Sequence, residues 1–210
     1  MKKITVSILV IMTAAAIASL FGRIWYILAS VAGILGVLGS GISGRTPFSA
    51  CGFSLSAAFA SLAARKNRLL AFTPLILLSF EVWIGVTQHE QYIQCSLSVL
   101  DRQLIFTGSA TLVLHILLMT ILEEVPWRCY YQLNIGRNFP PAAALLLPAA
   151  AITLLAVPVY GNEASALCLM GFFLRRLAYG YLFAESGSIL LVIVSHWVTT
   201  LFYLVLLVGI

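Results

Sequence analysis

Apolar runs about 20 residues long follow one another along almost the whole chain, at roughly 4–22, 24–43, 47–64, 69–87, 104–122, 140–160, 164–183 and 187–210. Coiled as an α-helix, a run of that length matches the hydrocarbon thickness of a bilayer. The runs are continuous rather than alternating, which is not the pattern of barrel strands. Inside a bilayer the backbone must satisfy its own hydrogen bonds, and a helix does this within one segment. The sequence therefore predicts an all-α fold, a polytopic membrane helix bundle of about eight transmembrane helices. Charge supports this: 9% of the 210 residues are Asp, Glu, Lys or Arg, against about 25% in soluble domains. Mean hydropathy is +1.04. The longest polar stretch, 88–103, reads as a loop, so residues 1–210 are read as a single integral membrane domain.

The net charge of +5 comes from 12 Lys and Arg against 7 Asp and Glu. No basic patch with interleaved aromatics is present, so no nucleic-acid partner is expected. The basic residues read instead as topology signals in short loops. Arg65-Lys66-Asn67-Arg68 is the strongest of these and should be cytoplasmic. The loop bearing Arg137 lies two spans further on and agrees. Counting back three spans from Arg65 puts the N-terminus outside, which Lys2-Lys3 opposes. Either those lysines are outvoted or one early segment does not span, and the Ser- and Ala-rich segment 47–64 is the weakest. Lys2-Lys3, an apolar run and Ala16-Ile17-Ala18 also imitate a signal peptide. A second apolar segment follows at once, which favours a retained first transmembrane helix.

Cys51, Cys95, Cys129 and Cys168 show no CxxC spacing, so neither a zinc site nor a redox motif is indicated. Cys51, Cys129 and Cys168 read as small apolar fillers, and Cys95 falls in the 88–103 loop. Ala29, Ala32, Gly33, Gly36 and Gly39 place small residues at near-helical spacing. These let helices approach closely, and ordinary bundle packing accounts for them.

The chemistry concentrates at Glu123-Glu124-Val125-Pro126-Trp127-Arg128, at the end of an apolar run. A charge at the bilayer centre costs about 2.5–3.5 kcal/mol on insertion scales, and an intramembrane ionisable residue is a functional-site hypothesis by default. Glu124 and Arg128 are four apart and can pair on one helix face. Adjacent helical residues point about 100° apart, so the two carboxylates cannot share one role. Glu123 is then the freer one, and a carboxylate buried in low dielectric suits a general base. Pro126 removes a backbone hydrogen bond and should kink the helix. A charged cap where a helix leaves the membrane explains one carboxylate and one arginine well, and a pair of carboxylates less well.

His196 lies inside the last apolar run and shares a helix face with Thr200. An imidazole at that depth needs a partner. His115, eight residues before Glu123 and about 12 Å away along the axis, reads as structural. His89 falls in a loop. Glu81 is a second buried acid that can pair with a basic side chain of another helix. Arg175-Arg176 either snorkel to an interface or pair with Glu81 or Glu185.

These residues resemble a known family. Glu123-Glu124-x-x-x-Arg128 is similar to the EExxxR motif of the CPBP family, the CAAX proteases and bacteriocin-processing enzymes also called Abi. Gly180-Tyr181-Leu182 and Ser186-Gly187-Ser188-Ile189 resemble the G-Y-L and T-G-S-L run before that family's last conserved helix. His196 resembles its final-motif histidine. The similarity covers residues 104–205 as a CPBP-like core, with 1–103 as variable N-terminal helices. The resemblance implies a bundle of about eight helices around a polar cavity and peptide hydrolysis inside the membrane. It implies catalytic roles for Glu123, Glu124, Arg128, His196 and Thr200. Glu123 would activate water, Glu124 and Arg128 would hold the site together, and His196 would stabilise the oxyanion beside Thr200.

Two departures stand out. The family's FxxxH motif should fall near residues 154–158, where Leu154-Leu155-Ala156-Val157-Pro158 carries no histidine. The final motif usually ends in Asn, where Thr200 stands here. With one clear histidine the set makes a poor zinc site, since catalytic zinc usually has three protein ligands, so no metal and no cofactor are expected.

Three readings remain. The first is an intramembrane endopeptidase that cleaves a membrane-associated, prenylated or leader peptide by glutamate-activated water. The second is a catalytically silent CPBP-like scaffold or immunity protein that binds a peptide partner. The third is a small transporter using Glu81, Glu123 and His196 as a proton relay, weakened by the lack of an internal repeat. The expected partners are a peptide or protein, lipidated or not, and the lipid bilayer of the plasma (inner) membrane. Convergence of Glu123 and His196 on one cavity is the observation that favours a site.

Overall fold

The computed structural model describes residues 3–21, 24–42, 51–88, 92, 109–160 and 165–208. Among them every regular element is helical. Helix α1 (Lys3–Ala18) runs into a 3₁₀ turn, Ser19–Phe21, and is followed by α2 (Ile24–Ile42), α3 (Leu55–Ala63) and α4 (Arg65–Gln88). Helix α5 (Ser109–Glu124) continues through a π-helical stretch, Val125–Gln132, into a last turn, α6 (Leu133–Gly136). Helices α7 (Pro141–Tyr160), α8 (Ala166–Ser186) and α9 (Ile189–Val208) complete the order. The polar stretch 88–103 with His89 and Cys95 lies outside the described residues apart from Tyr92, which is buried.

The expected polytopic helical bundle is what forms. Among the described residues five helical segments are long and apolar enough to cross a membrane: Arg65–Thr87, Ala110–Gly136, Pro141–Pro158, Ala166–Ser186 and Ile189–Leu207. Thr5–Ala18 and Ile27–Ser40 are shorter apolar helices. Of the segment 47–64 the structure describes residues 51–64, and these do not give a span. The backbone turns at Gly52, whose φ is +67°, and Ser54 caps α3 by accepting from the Ala57 N–H at 3.3 Å. Nine helical residues reach only about 14 Å.

The helix faces show what surrounds them. On α4, Leu69, Phe72, Ile76, Phe80 and Trp83 are each more than half exposed, at three- and four-residue spacing. Leu78, Glu81 and Val82 on the opposite face are buried. On α9, Val194, Val198 and Val205 point outward while Ser195, His196 and Thr199 are buried. Apolar outside and polar inside is the arrangement for a lipid-facing bundle.

The small residues of α2 serve packing. A side chain at Gly33 would collide with Pro126, and one at Gly36 with the ring of Tyr130. Their absence lets α2 lie directly against the π-helical stretch, one of the main helix contacts in the molecule. Helix α1 joins the same core. Met12, Ala15 and Ala16 are buried, and the Thr13 hydroxyl lies 2.8 Å from the Tyr131 hydroxyl. Cys51, Cys129 and Cys168 are buried, as fillers should be.

Candidate active site

Pro126 cannot donate a backbone hydrogen bond. The helix answers not with a plain kink but with a wider π register over Val125–Gln132, of which Pro126–Gln132 are all buried. Such segments recur at functional sites. They carry Arg128 and Gln132 inward one turn and two turns beyond Glu124.

The turn between α8 and α9 sets the other half. Gly187 takes a left-handed conformation, φ +61°, and its N–H closes on the Phe183 carbonyl at 2.9 Å. The Ser188 hydroxyl then accepts from the Leu191 N–H at 3.3 Å and starts α9. Ser186-Gly187-Ser188 thus ends one helix and caps the next. The chain doubles back, and Arg176 on α8 meets His196 on α9.

At the centre Glu124 and Arg128 are both fully buried. Arg128 Nε donates to Glu124 Oε2 at 2.8 Å, the pair expected from their spacing. The rest of the guanidinium is used too: Nη1 donates to Gln132 Oε1 at 3.1 Å and Nη2 to the Arg176 carbonyl at 3.0 Å. Gln132 Nε2 donates to the Gly180 carbonyl at 2.8 Å. A Cβ at Gly180 would lie 3.1 Å from Arg128 Nη1, so the glycine of the Gly180-Tyr181-Leu182 run keeps this junction open. His196 Nδ1 lies 2.8 Å from Glu124 Oε1, and the Tyr179 ring stacks on the imidazole with centroids 4.7 Å apart.

Arg176, expected to snorkel to an interface or to pair with Glu81 or Glu185, turns inward to the two glutamates instead. Its Nη2 is 2.6 Å from Glu123 Oε1, and its Nη1 is 3.1 Å from Glu124 Oε1. Nη1 also lies 3.3 Å from each ring nitrogen of His196. The two carboxylates therefore share one cation, and Glu123, expected to be the freer of the two, has an ionic partner in Arg176. The Glu123 contact is an ion pair without hydrogen-bond alignment, and Glu123 Oε1 has no hydrogen-bond donor. Arg175 pairs with Glu81, as the second buried acid required, and Glu185 pairs with Lys66 at 2.6 Å.

A cavity of about 400 Å³ opens beside this network. Glu123, Arg176, His196 and Thr200 line it, with Tyr179 and Thr199. Arg175 and His115 line it as well, so His115 belongs to the cavity wall despite its distance along the helix. The remaining wall is mostly apolar, from Leu78, Ile116, Met119, Ile152, Ala156, Phe172 and Tyr203. Helix α7 thus faces the cavity with Ile152 and Ala156, four residues apart. That is the FxxxH spacing, two residues earlier than the sequence pattern placed it, with neither aromatic nor histidine.

Sequence reasoning missed Arg176, Gln132 and Tyr179 as site residues. Two signals were available. Glu124, Arg128 and Gln132 repeat every fourth residue, and two buried carboxylates need two cations while Arg128 supplies one. Among the described residues no group of three His, Cys, Asp or Glu side chains is placed to hold a metal ion. The carboxylates are instead taken up by guanidinium groups, and this donor set does not fit a catalytic zinc.

A family model described as Rce1-like, type II CAAX prenyl endopeptidase, matches residues 106–202. No significant match is found among curated proteins or solved structures. The matched segment runs from the start of α5 to α9 and holds every residue of the network around Glu124.

Proposed function

We propose, from the match of residues 106–202 to the Rce1-like type II CAAX prenyl endopeptidase family, that this chain is a CPBP-type intramembrane endopeptidase working by glutamate-activated water. One observation carries the reading: Glu123 and His196, 73 positions apart in sequence, line one cavity. A water in that cavity beside Glu123 is the nucleophile.

The steps follow from the geometry. Glu123 accepts a proton from that water, and the hydroxide adds to the scissile carbonyl carbon. The carbonyl oxygen becomes an oxyanion, and His196 and Thr200 on the facing helix donate to it. With Nδ1 on Glu124, Nε2 is the ring atom for that contact. The proton on Glu123 passes to the leaving nitrogen, the C–N bond breaks, and a carboxylic acid and an amine result. Glu124 and Arg128 position these groups.

The apolar cavity wall suits a lipidated or strongly apolar peptide, so the proposed substrate is a prenylated or leader peptide presented in the plasma (inner) membrane. The test is cleavage in proteoliposomes of one peptide with and without a prenyl group, with products identified by mass. Faster hydrolysis of the prenylated form supports the assignment, and cleavage of neither form contradicts it.

A second reading has its own observation. Arg176 binds both carboxylates while α7 offers only Ile152 and Ala156 to the cavity. A silent CPBP-like scaffold or immunity protein that holds a peptide in this cavity would show saturable binding without cleavage in the same assay.

A further inference from the structure

The geometry points to Arg176 as the positioning residue that takes over, from helix α8, the support of Glu123 that the cavity face of α7 does not give. This inference rests on the endopeptidase reading for its kinetic part. Its structural part stands on its own.

Three observations carry it. First, α7 presents Ile152 and Ala156 to the cavity, so no polar side chain reaches Glu123 from that wall. Second, the site has two acidic groups, and Arg128 is committed to Glu124, Gln132 and a backbone carbonyl. The cation beside Glu123 is Arg176, at 2.6 Å. Third, Arg176 is held for that task. Its side chain is 5% exposed, its guanidinium lies 4.3 Å from the centre of the Phe172 ring, and its carbonyl accepts from Arg128. A guanidinium fork can serve two carboxylates at once, which a lysine cannot copy in full.

The consequence is specific. A carboxylate in this apolar setting needs a neighbouring cation to stay ionised, since an unpaired buried charge neutralises instead. Arg176 balances the charge of Glu123 and holds it at the cavity wall. It touches Glu123 rather than substrate and acts through it.

The experiment compares wild type with Arg176→Met, Arg176→Lys and Arg176→Met combined with Glu123→Gln, each purified in detergent at neutral pH. Infrared difference spectra read the carbonyl stretch of protonated carboxyl groups. Arg176→Met should gain such a band, wild type and Arg176→Lys should lack it, and the double variant should lose it. A band already present in wild type, no band in Arg176→Met, or a band that survives Glu123→Gln would each overturn the assignment. If Arg176→Met does not fold, Arg176→Gln removes the charge while keeping donors and gives the same comparison. Peptide turnover should fall on the order of 100-fold in Arg176→Met, as for a misplaced catalytic group, and recover partly in Arg176→Lys. Absence of cleavage by wild type would sink the endopeptidase reading, while the infrared result would still decide the role of Arg176.

Discussion

His196 Nδ1 and Glu124 Oε1 lie 2.8 Å apart, and this contact joins the last helix to the helix of the two glutamates. Glu124 also takes Arg128 at 2.8 Å and Arg176 at 3.1 Å. One fully buried carboxylate is thus the node through which α5, α8 and α9 hold their relative positions, and the cavity forms beside it.

That node predicts an asymmetry in stability. Arg128→Ala removes three hydrogen bonds at a fully buried site and leaves Glu124 short of a cation. Breaking a buried pair costs about 3–5 kcal/mol. Thermal unfolding in detergent should shift down strongly. Lys66→Ala breaks the exposed pair with Glu185 and should leave the transition where it is, because solvent screens such pairs. Equal shifts for the two variants would contradict the account of the node.

Close approach predicts a second effect. A methyl group at Gly180 would sit 3.1 Å from Arg128 Nη1 and 3.3 Å from Gln132 Oε1. Gly180→Ala should destabilise by about 1–3 kcal/mol, the usual cost of overpacking. Gly39→Ala, with nothing within 4 Å of the added atom, is the control and should leave the transition unchanged. Tm measurements on both variants check the contrast.

On the facing helix, His196→Ala should lower kcat by about 10²–10³, the effect of removing an oxyanion donor. Thr200→Val should give a smaller loss with the fold retained. Steady-state kinetics on the prenylated peptide compares them, and a larger loss for Thr200→Val would reverse the assigned roles.

Chelation supplies a further check. The two carboxylates are occupied by arginines, so treatment with a strong chelator and dialysis should leave the rate unchanged. Loss of activity that added zinc restores would show a metal mechanism in place of the one proposed.

Much of this was legible because helix geometry is local. The spacing of Glu124 and Arg128 gave their pair, the unbroken apolar runs gave the bundle, and Glu81 asked for a cation that Arg175 provides. What the chain did not disclose depends on tertiary placement. Arg176 and Arg175 are neighbours in sequence, yet one reaches Glu123 and the other Glu81, and only the rotation of α8 decides which. The segment 47–64 is apolar enough to span, but Gly52 breaks it by a backbone turn that composition does not reveal. Pro126 announced a disturbance, but not that the helix would widen to a π register against which Gly33 and Gly36 let α2 pack.

The central claim is that Glu123 is the base that activates water. The most direct measurement is single-turnover cleavage of the prenylated peptide by wild type and by Glu123→Gln, at matched folding and matched peptide binding. Glutamine keeps the shape and removes the proton acceptor. The account predicts that binding persists while the chemical step in Glu123→Gln falls to background. Equal single-turnover rates in the two proteins would contradict it.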